Sequence, residues 1–277
     1  MSIHRFAPRH FHATLGAHEP VMRIADGDTV ITNTVDAHGY DHENIHRGGD
    51  TNPMTGPFFV EGAEPGDTLA VTIKRIRMNR RMGWTRQGLA WHVVNPARVR
   101  DMPAREKIFW QIEDNAKLVR LESPTAPLKS WTVPLKPMMG CFGVAPGDGE
   151  FISTATSGHH GGNMDYNRFG EGVTAYFPVA VKGALFCLGD AHAAQGDGEI
   201  AGTGIETSAE VEFSVAVRKG VTANWPRGED AESIFTVGNA RPLVQALQHA
   251  TSEMLDWLQQ DFGLDTVSAS HLLGMHV

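Results

Sequence analysis

A recurring turn, followed by an extended run, limits what this chain can become. Asp26-Gly27-Asp28 leads into Thr29-Val-Ile-Thr-Asn-Thr-Val35, and Pro65-Gly66-Asp67 leads into Thr68-Leu-Ala-Val-Thr-Ile-Lys-Arg-Ile76. A related turn stands at Pro146-Gly147-Asp148-Gly149. Proline presets φ at the second position of a type II turn, and glycine accepts φ > 0 at the third. The runs that follow are rich in β-branched residues, which pack well on a pleated surface. Val211-Glu-Phe-Ser-Val-Ala-Val217 alternates apolar with polar, the period of a strand with one buried and one wet face. Further strands are expected at 172–181, 184–188, 200–206 and 210–218, with edge strands near 107–112 and 116–121.

The period changes after Gly238. Leu243, Leu247, Ala250, Met254 and Leu258 share one helical face. Pro242 stands at the start, where its missing N–H does no harm, and Gly263 stands where a C-terminal cap belongs. A second short helix is expected at 266–273. Strands first and helices last make an α+β, β-rich class: sandwich- or barrel-like sheets with a C-terminal helical segment. One domain over 1–277 is expected, with a β core from 1–76 and 136–220. An insertion would span 77–135 and the helical part 238–277.

Composition removes several function classes. Lys+Arg total 24 and Asp+Glu 32, a net charge of −8, which argues against a general binder of nucleic acid or anionic membrane. A 41% hydrophobic, 20% charged chain is not intrinsically disordered. Cys141 and Cys187 are too few for a disulfide scaffold or an all-cysteine zinc site, and read as reduced core residues of a cytoplasmic protein. Proline and lysine interrupt the apolar runs well short of a membrane span, and the start lacks a signal-peptide pattern. No G-x-G-x-x-G follows a strand, and neither a P-loop nor a G-x-S-x-G elbow is present.

Chemistry-bearing residues are densest between Gly158 and Glu199. The segment holds Gly158-His-His-Gly-Gly-Asn-Met-Asp165 and Gly189-Asp-Ala-His-Ala-Ala-Gln-Gly-Asp-Gly-Glu199. On a strand, Asp190 and His192 are two apart and point to one face, where a carboxylate and an imidazole suit a divalent metal. Read alone, the pair is about as compatible with a solvated turn, since Gly-Asp pairs are common turn formers. His160 is preferred over His159 as an additional ligand because it adjoins the glycines. Asn163 adds a neutral donor, and converging N–H groups at Gly161–Gly162 would steady an oxyanion. A weaker N-terminal cluster comprises His10, His12, Asp36, His38, Asp41, His42, Glu43 and His46.

Asn52-Pro-Met-Thr-Gly-Pro-Phe-Phe-Val-Glu-Gly-Ala-Glu-Pro-Gly-Asp-Thr-Leu69 resembles the signature of the acetamidase/formamidase family. So do Lys136-Pro-Met-Met-Gly-Cys-Phe-Gly-Val-Ala-Pro146, His160-Gly-Gly-Asn-Met-Asp165, and Pro178–Leu185 running into Gly189–Glu199. The resemblance spans about 23–217 in family order. It implies a metal-assisted amidase acting on small aliphatic amides, with relatives that open lactams, and a homodimer or larger homo-oligomer. It implies Asp36, Asp165 and His192 as metal ligands, with Glu61, Glu64 and Glu199 matching family glutamates. Zn²⁺ is the expected ion, with Ca²⁺ a candidate second, structural one. Glu199 or Glu61 would act as general base. Two stretches depart from the pattern: 10–20 matches it loosely, and 272–277 resembles the segment that precedes the family's closing strands. Two rival readings are a cupin-like metalloenzyme built on His10 and His12, and a non-catalytic β protein that uses a metal to pin loops.

Overall fold

A computed structural model describes residues 1–49 and 51–276; Asp50 and Val277 lie outside it. Seven strands form one sheet in the order Ile3–Phe6, Thr29–Asn33, Ala209–Arg218, Thr68–Met78, Thr174–Pro178, Arg227–Glu229, Ile234–Thr236. Its neighbours are antiparallel except for the first pair. The alternation of the long strand sets its facing: Ala209, Val211, Phe213 and Val215 are buried, while Glu210, Glu212 and Ser214 are half-buried on the other side.

The second sheet centres on Phe186–His192, every residue of which is buried. One edge of that strand pairs with Met138–Gly143, and the other meets Thr55–Val60 and then Glu206–Thr207. Phe213 of the first sheet packs on Phe58 and Phe186 of the second, with ring centroids 5.4 and 5.1 Å apart. The sheets therefore stack face to face around one apolar core, a β-sandwich.

The 77–135 stretch supplies the outer strands of the second sheet. Met82–Arg86, Lys107–Glu113, Leu118–Leu121 and Val133–Pro134 add in turn beyond Glu206–Thr207. They bury Trp110, Ile112 and Val119 against Ala193, Ala194 and Ile205. The strand expected at 200–206 is shorter than its composition implied. Only Glu206–Thr207 pairs, because Gly198 and Gly202 take φ of 69° and 67° and turn the chain into a loop.

Helix α1 spans Leu243–Phe262 and α2 spans Thr266–His276. Gly263 closes α1 at φ 66°, with its N–H donated to the Leu258 carbonyl. The expected apolar face of α1 leaves its first turns exposed and docks from about His249 onward. Leu243 and Leu247 are exposed, whereas Glu253, Trp257 and Leu258 are buried. Trp257 packs edge-on against Tyr176 at 5.7 Å, and Glu253 pairs with Arg227 at 2.6 Å. No helix among the described residues is long and apolar enough to cross a membrane.

Candidate metal centre

Four carboxylates and one imidazole converge where Phe186–His192 ends. Asp190 and His192 come from that strand. Glu206 sits opposite His192 on the neighbouring strand, in register. Asp165 follows the short strand Gly161–Asn163, and Glu199 comes from the 3₁₀ turn Asp197–Glu199. Ligand atoms of Asp165, Asp190 and His192 lie within 4.8 Å of one another, as do those of His192, Glu199 and Glu206. His192 Nε2 is 3.4 Å from Asp190 Oδ1 and 3.2 Å from Glu206 Oε2. Neither approach is aligned as a hydrogen bond. Asp165 Oδ1, Asp190 Oδ1, His192 Nε2 and Glu206 Oε2 are all buried without a hydrogen-bond partner. Buried polar atoms are almost always paired, so four orphans in two ligand groupings that share His192 make this the candidate cation site.

The surrounding hydrogen bonds fix which atoms remain free. Asn52 Nδ2 donates to Asp190 Oδ2 at 3.2 Å and to Asn163 Oδ1 at 2.6 Å. Asn163 Nδ2 donates in turn to Asp165 Oδ2 at 2.6 Å. Each aspartate thus has one oxygen occupied by an amide and one left open. Gln195 Nε2 donates to the Asp165 carbonyl at 2.5 Å, so its Oε1, 2.9 Å from His192 Nδ1, accepts the ring proton there. That makes Nδ1 the donor to Gln195 and leaves Nε2 facing the carboxylates.

The backbone is bent to achieve this. Asn52, Asp165, Asp190 and Glu199 have φ of 35°, 45°, 55° and 44°, a region non-glycine residues seldom occupy. Two glycines make room. A Cβ on Gly140 would lie 2.6 Å from Asp165 Oδ1 and 2.8 Å from Asp190 Oδ2. A Cβ on Gly204 would lie 2.4 Å from His192 Nδ1.

Electrostatics agree with the geometry. Burial, reinforced by the Asp190 charge, pushes the Asp165 and Glu206 carboxyls well above the usual carboxylate range. Burial raises Glu199 as well, against the nearby His192 and Arg105 charges. Burial opposes a charge on His192, but Glu206 and Asp190 pull its pKa well above the ordinary histidine value. So many buried like charges cannot coexist without protons or a metal cation. A cavity of about 240 Å³ opens onto the cluster, lined also by His38, Asn52, Trp84, Arg86, Arg105 and Asn163.

Some expected ligands lie elsewhere. Asp36 belongs to neither grouping. Its Oδ1 accepts the N–H groups of His38 and Tyr40, and its Oδ2 accepts Arg80 Nη2 at 2.6 Å and Trp84 Nε1 at 3.1 Å. Both oxygens are fully engaged, so Asp36 has none to give a metal; it holds Trp84 in the cavity wall instead. Glu61 is half exposed and paired with Arg23 at 2.6 Å, and Glu64 meets Lys182 at 3.6 Å. Neither glutamate lines the cavity. His160 is buried beside the hairpin, outside both groupings, and burial and His159 lower its pKa to about 4. Gly161 and Gly162 pack inside the sheet between two strands and do not line the cavity, so their amides are not aimed at a reacting oxygen. Among the described residues, His10 and His12 join no metal-like grouping, which removes the basis of the cupin-like reading. Cys141 and Cys187 are buried, unpaired thiols whose pKa values burial pushes up.

Sequence reasoning missed Glu206, Asn52, Gln195, Gly140 and Gly204. Glu206 has no neighbouring histidine or aspartate to flag it. Asn52 opens the family-like signature, and that was its one visible signal.

The chain is similar in sequence and fold to known proteins. The acetamidase/formamidase family model matches residues 11–153 and 148–253. This chain belongs to the acetamidase/formamidase family. It is 29% identical to an acetamidase of Mycolicibacterium smegmatis over 240 residues, covering 69% of this chain and 59% of that protein. It is 25% identical to a formamidase of Methylophilus methylotrophus over 269 residues, covering 81% of this chain and 63% of that one. The chain therefore spans about three-fifths of the length of these curated relatives. Among solved structures, a predicted acetamidase/formamidase from Thermoanaerobacter tengcongensis superposes with a TM-score of 0.84 at 30% identity. That match covers 99% of this chain and 88% of the other. A gamma lactamase from Delftia acidovorans shares the family fold at 19% identity, with a TM-score of 0.65.

Proposed function

We propose that the protein is a metal-dependent amidase that hydrolyses the C–N bond of small aliphatic amides and releases ammonia. The observation that carries this is the set of four buried, unpartnered ligand atoms on Asp165, Asp190, His192 and Glu206 at the end of a small cavity. One imidazole nitrogen with several carboxylate oxygens suits Zn²⁺. A bound divalent ion polarises a carbonyl oxygen and lowers the pKa of a coordinated water to about 7. At about 240 Å³, the cavity is smaller than a typical drug-sized pocket, in keeping with a formamide- or acetamide-sized substrate.

The chain's own residues divide the remaining work. Asn52 and Asn163 orient the two aspartates, and Gln195 orients His192. Glu199 lies at the cavity on a turn and is only half-buried, so it is placed to accept a proton from an attacking water and pass it to the departing nitrogen. Trp84, held by Asp36, closes one wall against solvent.

The test is metal analysis combined with ammonia release from formamide and acetamide. The protein as purified should contain a divalent ion, lose at least roughly 100-fold in rate on chelation, and recover with added Zn²⁺. Full activity in verified metal-free protein would overturn the reading.

A further inference from the structure

The cavity is chemically lopsided. At one end it shows acceptors without donors. In its wall, among the described residues, stands a donor without an acceptor: Arg105 Nη1, buried and without a hydrogen-bond partner. The amide, indole and guanidinium nitrogens of Asn52, Asn163, Trp84 and Arg86 in the same lining are engaged. Asn52 donates to Asn163 and Asp190, Asn163 to Asp165, Trp84 to Asp36, and Arg86 Nη1 to the Arg105 carbonyl at 3.4 Å.

Arg105 is also fixed in place. Its Nη2 donates to the Ala201 carbonyl at 2.8 Å, on the loop that carries Glu199. Ala90 N donates to the Ile200 carbonyl at 2.8 Å and Arg86 N to Thr203 Oγ1 at 3.0 Å, tying the 86–106 segment to that loop. Gly202 admits the guanidinium, since a Cβ there would lie 3.2 Å from Arg105 Nη2. Holding a long cation this firmly with its Nη1 amino group unused costs stability, which points to a ligand that completes it.

A guanidinium is always charged and only donates. On a small aliphatic amide the carbonyl oxygen is the one strong acceptor, because the nitrogen lone pair is delocalised. We propose that Arg105 is a catalytic residue whose Nη1 donates to the carbonyl oxygen of the bound amide and to the oxyanion that forms from it. The proposal rests on the amide-hydrolysis reading above. The hydrogen bond strengthens as charge builds on that oxygen, so it lowers the barrier more than it tightens substrate binding.

The test uses metal-replete protein with Arg105→Ala and Arg105→Lys, after confirming unchanged metal content and melting temperature. Arg105→Ala should lower kcat on formamide by roughly 10²–10³-fold, the scale of losing one oxyanion donor, with KM changed less than about fivefold. Arg105→Lys should fall between, since it keeps the charge and loses the fork. Added guanidinium should restore part of the Arg105→Ala rate, which a purely structural role would not allow. Acetate, titrated calorimetrically as a probe that needs no turnover, should bind Arg105→Ala at least roughly tenfold more weakly than the unmodified protein. Unchanged kcat together with unchanged acetate affinity would overturn the proposal. If the unmodified protein releases ammonia from no amide, the hydrolysis reading fails by itself, and acetate affinity alone decides whether Arg105 is an oxygen-binding donor.

Discussion

Gly140 has the clearest reason of any residue to be what it is. It faces Asp190 across paired strands, and the space where its Cβ would stand is the space between Asp165 and Asp190. Gly140→Ala should displace one of those carboxylates and weaken Zn²⁺ binding by roughly tenfold or more, the range seen when support of metal ligands is disturbed. Competition with a chromophoric chelator measures this, and unchanged affinity would mean the cradle is not a metal site. The left-handed backbone at Asn52, Asp165, Asp190 and Glu199 is the matching feature on the ligand side. Each such residue costs on the order of 1–3 kcal/mol, a cost that persists where the surrounding structure enforces it and function uses it. None of this was visible at the level of residue type, where Gly140 reads as one more small strand residue.

At the scale of elements, the central strand does most of the positioning. Its period of two brings Asp190 and His192 to one end, as the sequence spacing implied, and its pairing with Glu206–Thr207 delivers the glutamate that spacing could not reveal. Helix α1 shows the opposite case. Its apolar stripe was legible, but the buried half is decided by two specific anchors, Trp257 on Tyr176 and Glu253 on Arg227. Glu253 and Arg227 are each 1% exposed. Glu253→Ala leaves that guanidinium buried without its carboxylate, with Gln260 Oε1 as an acceptor at 3.1 Å, and should destabilise the fold by about 3–5 kcal/mol in urea unfolding. Replacing both residues by methionine should cost far less, because no uncompensated charge remains. An equal loss in the two variants would show that packing, rather than charge, holds the helix.

For the whole molecule, the acidic excess resolves into a local concentration of charge. Asp165, Glu199 and Glu206 are all held above the ordinary carboxylate range, and His192 above the ordinary histidine range. Groups with raised pKa values hold their protons to higher pH, a metal ion must displace the protons they hold, and binding therefore strengthens as pH rises. Apparent Zn²⁺ affinity should increase from about pH 6 to about pH 8, with net proton release measurable by calorimetry in buffers of different ionisation enthalpy. An affinity flat across that interval would contradict metal binding in competition with protons at this cluster.

What the residues determined by themselves was the architecture and the neighbourhood of the chemistry. Turn residues and β-branched runs act locally, so they read correctly one segment at a time. The density of Asp, His, Asn and Gly between 158 and 199 pointed to the strand end where the carboxylates gather around His192. Tertiary structure decided which of those groups face one another. Asp36 and Glu206 illustrate it: each is a carboxylate next to a strand, and nothing local separates them. In the fold, Arg80, Trp84 and two backbone amides occupy Asp36, whereas Glu206 keeps a buried oxygen open beside His192. Whether a carboxylate is free to bind an ion depends on partners distant in sequence, and only the packed sheets bring those partners into place.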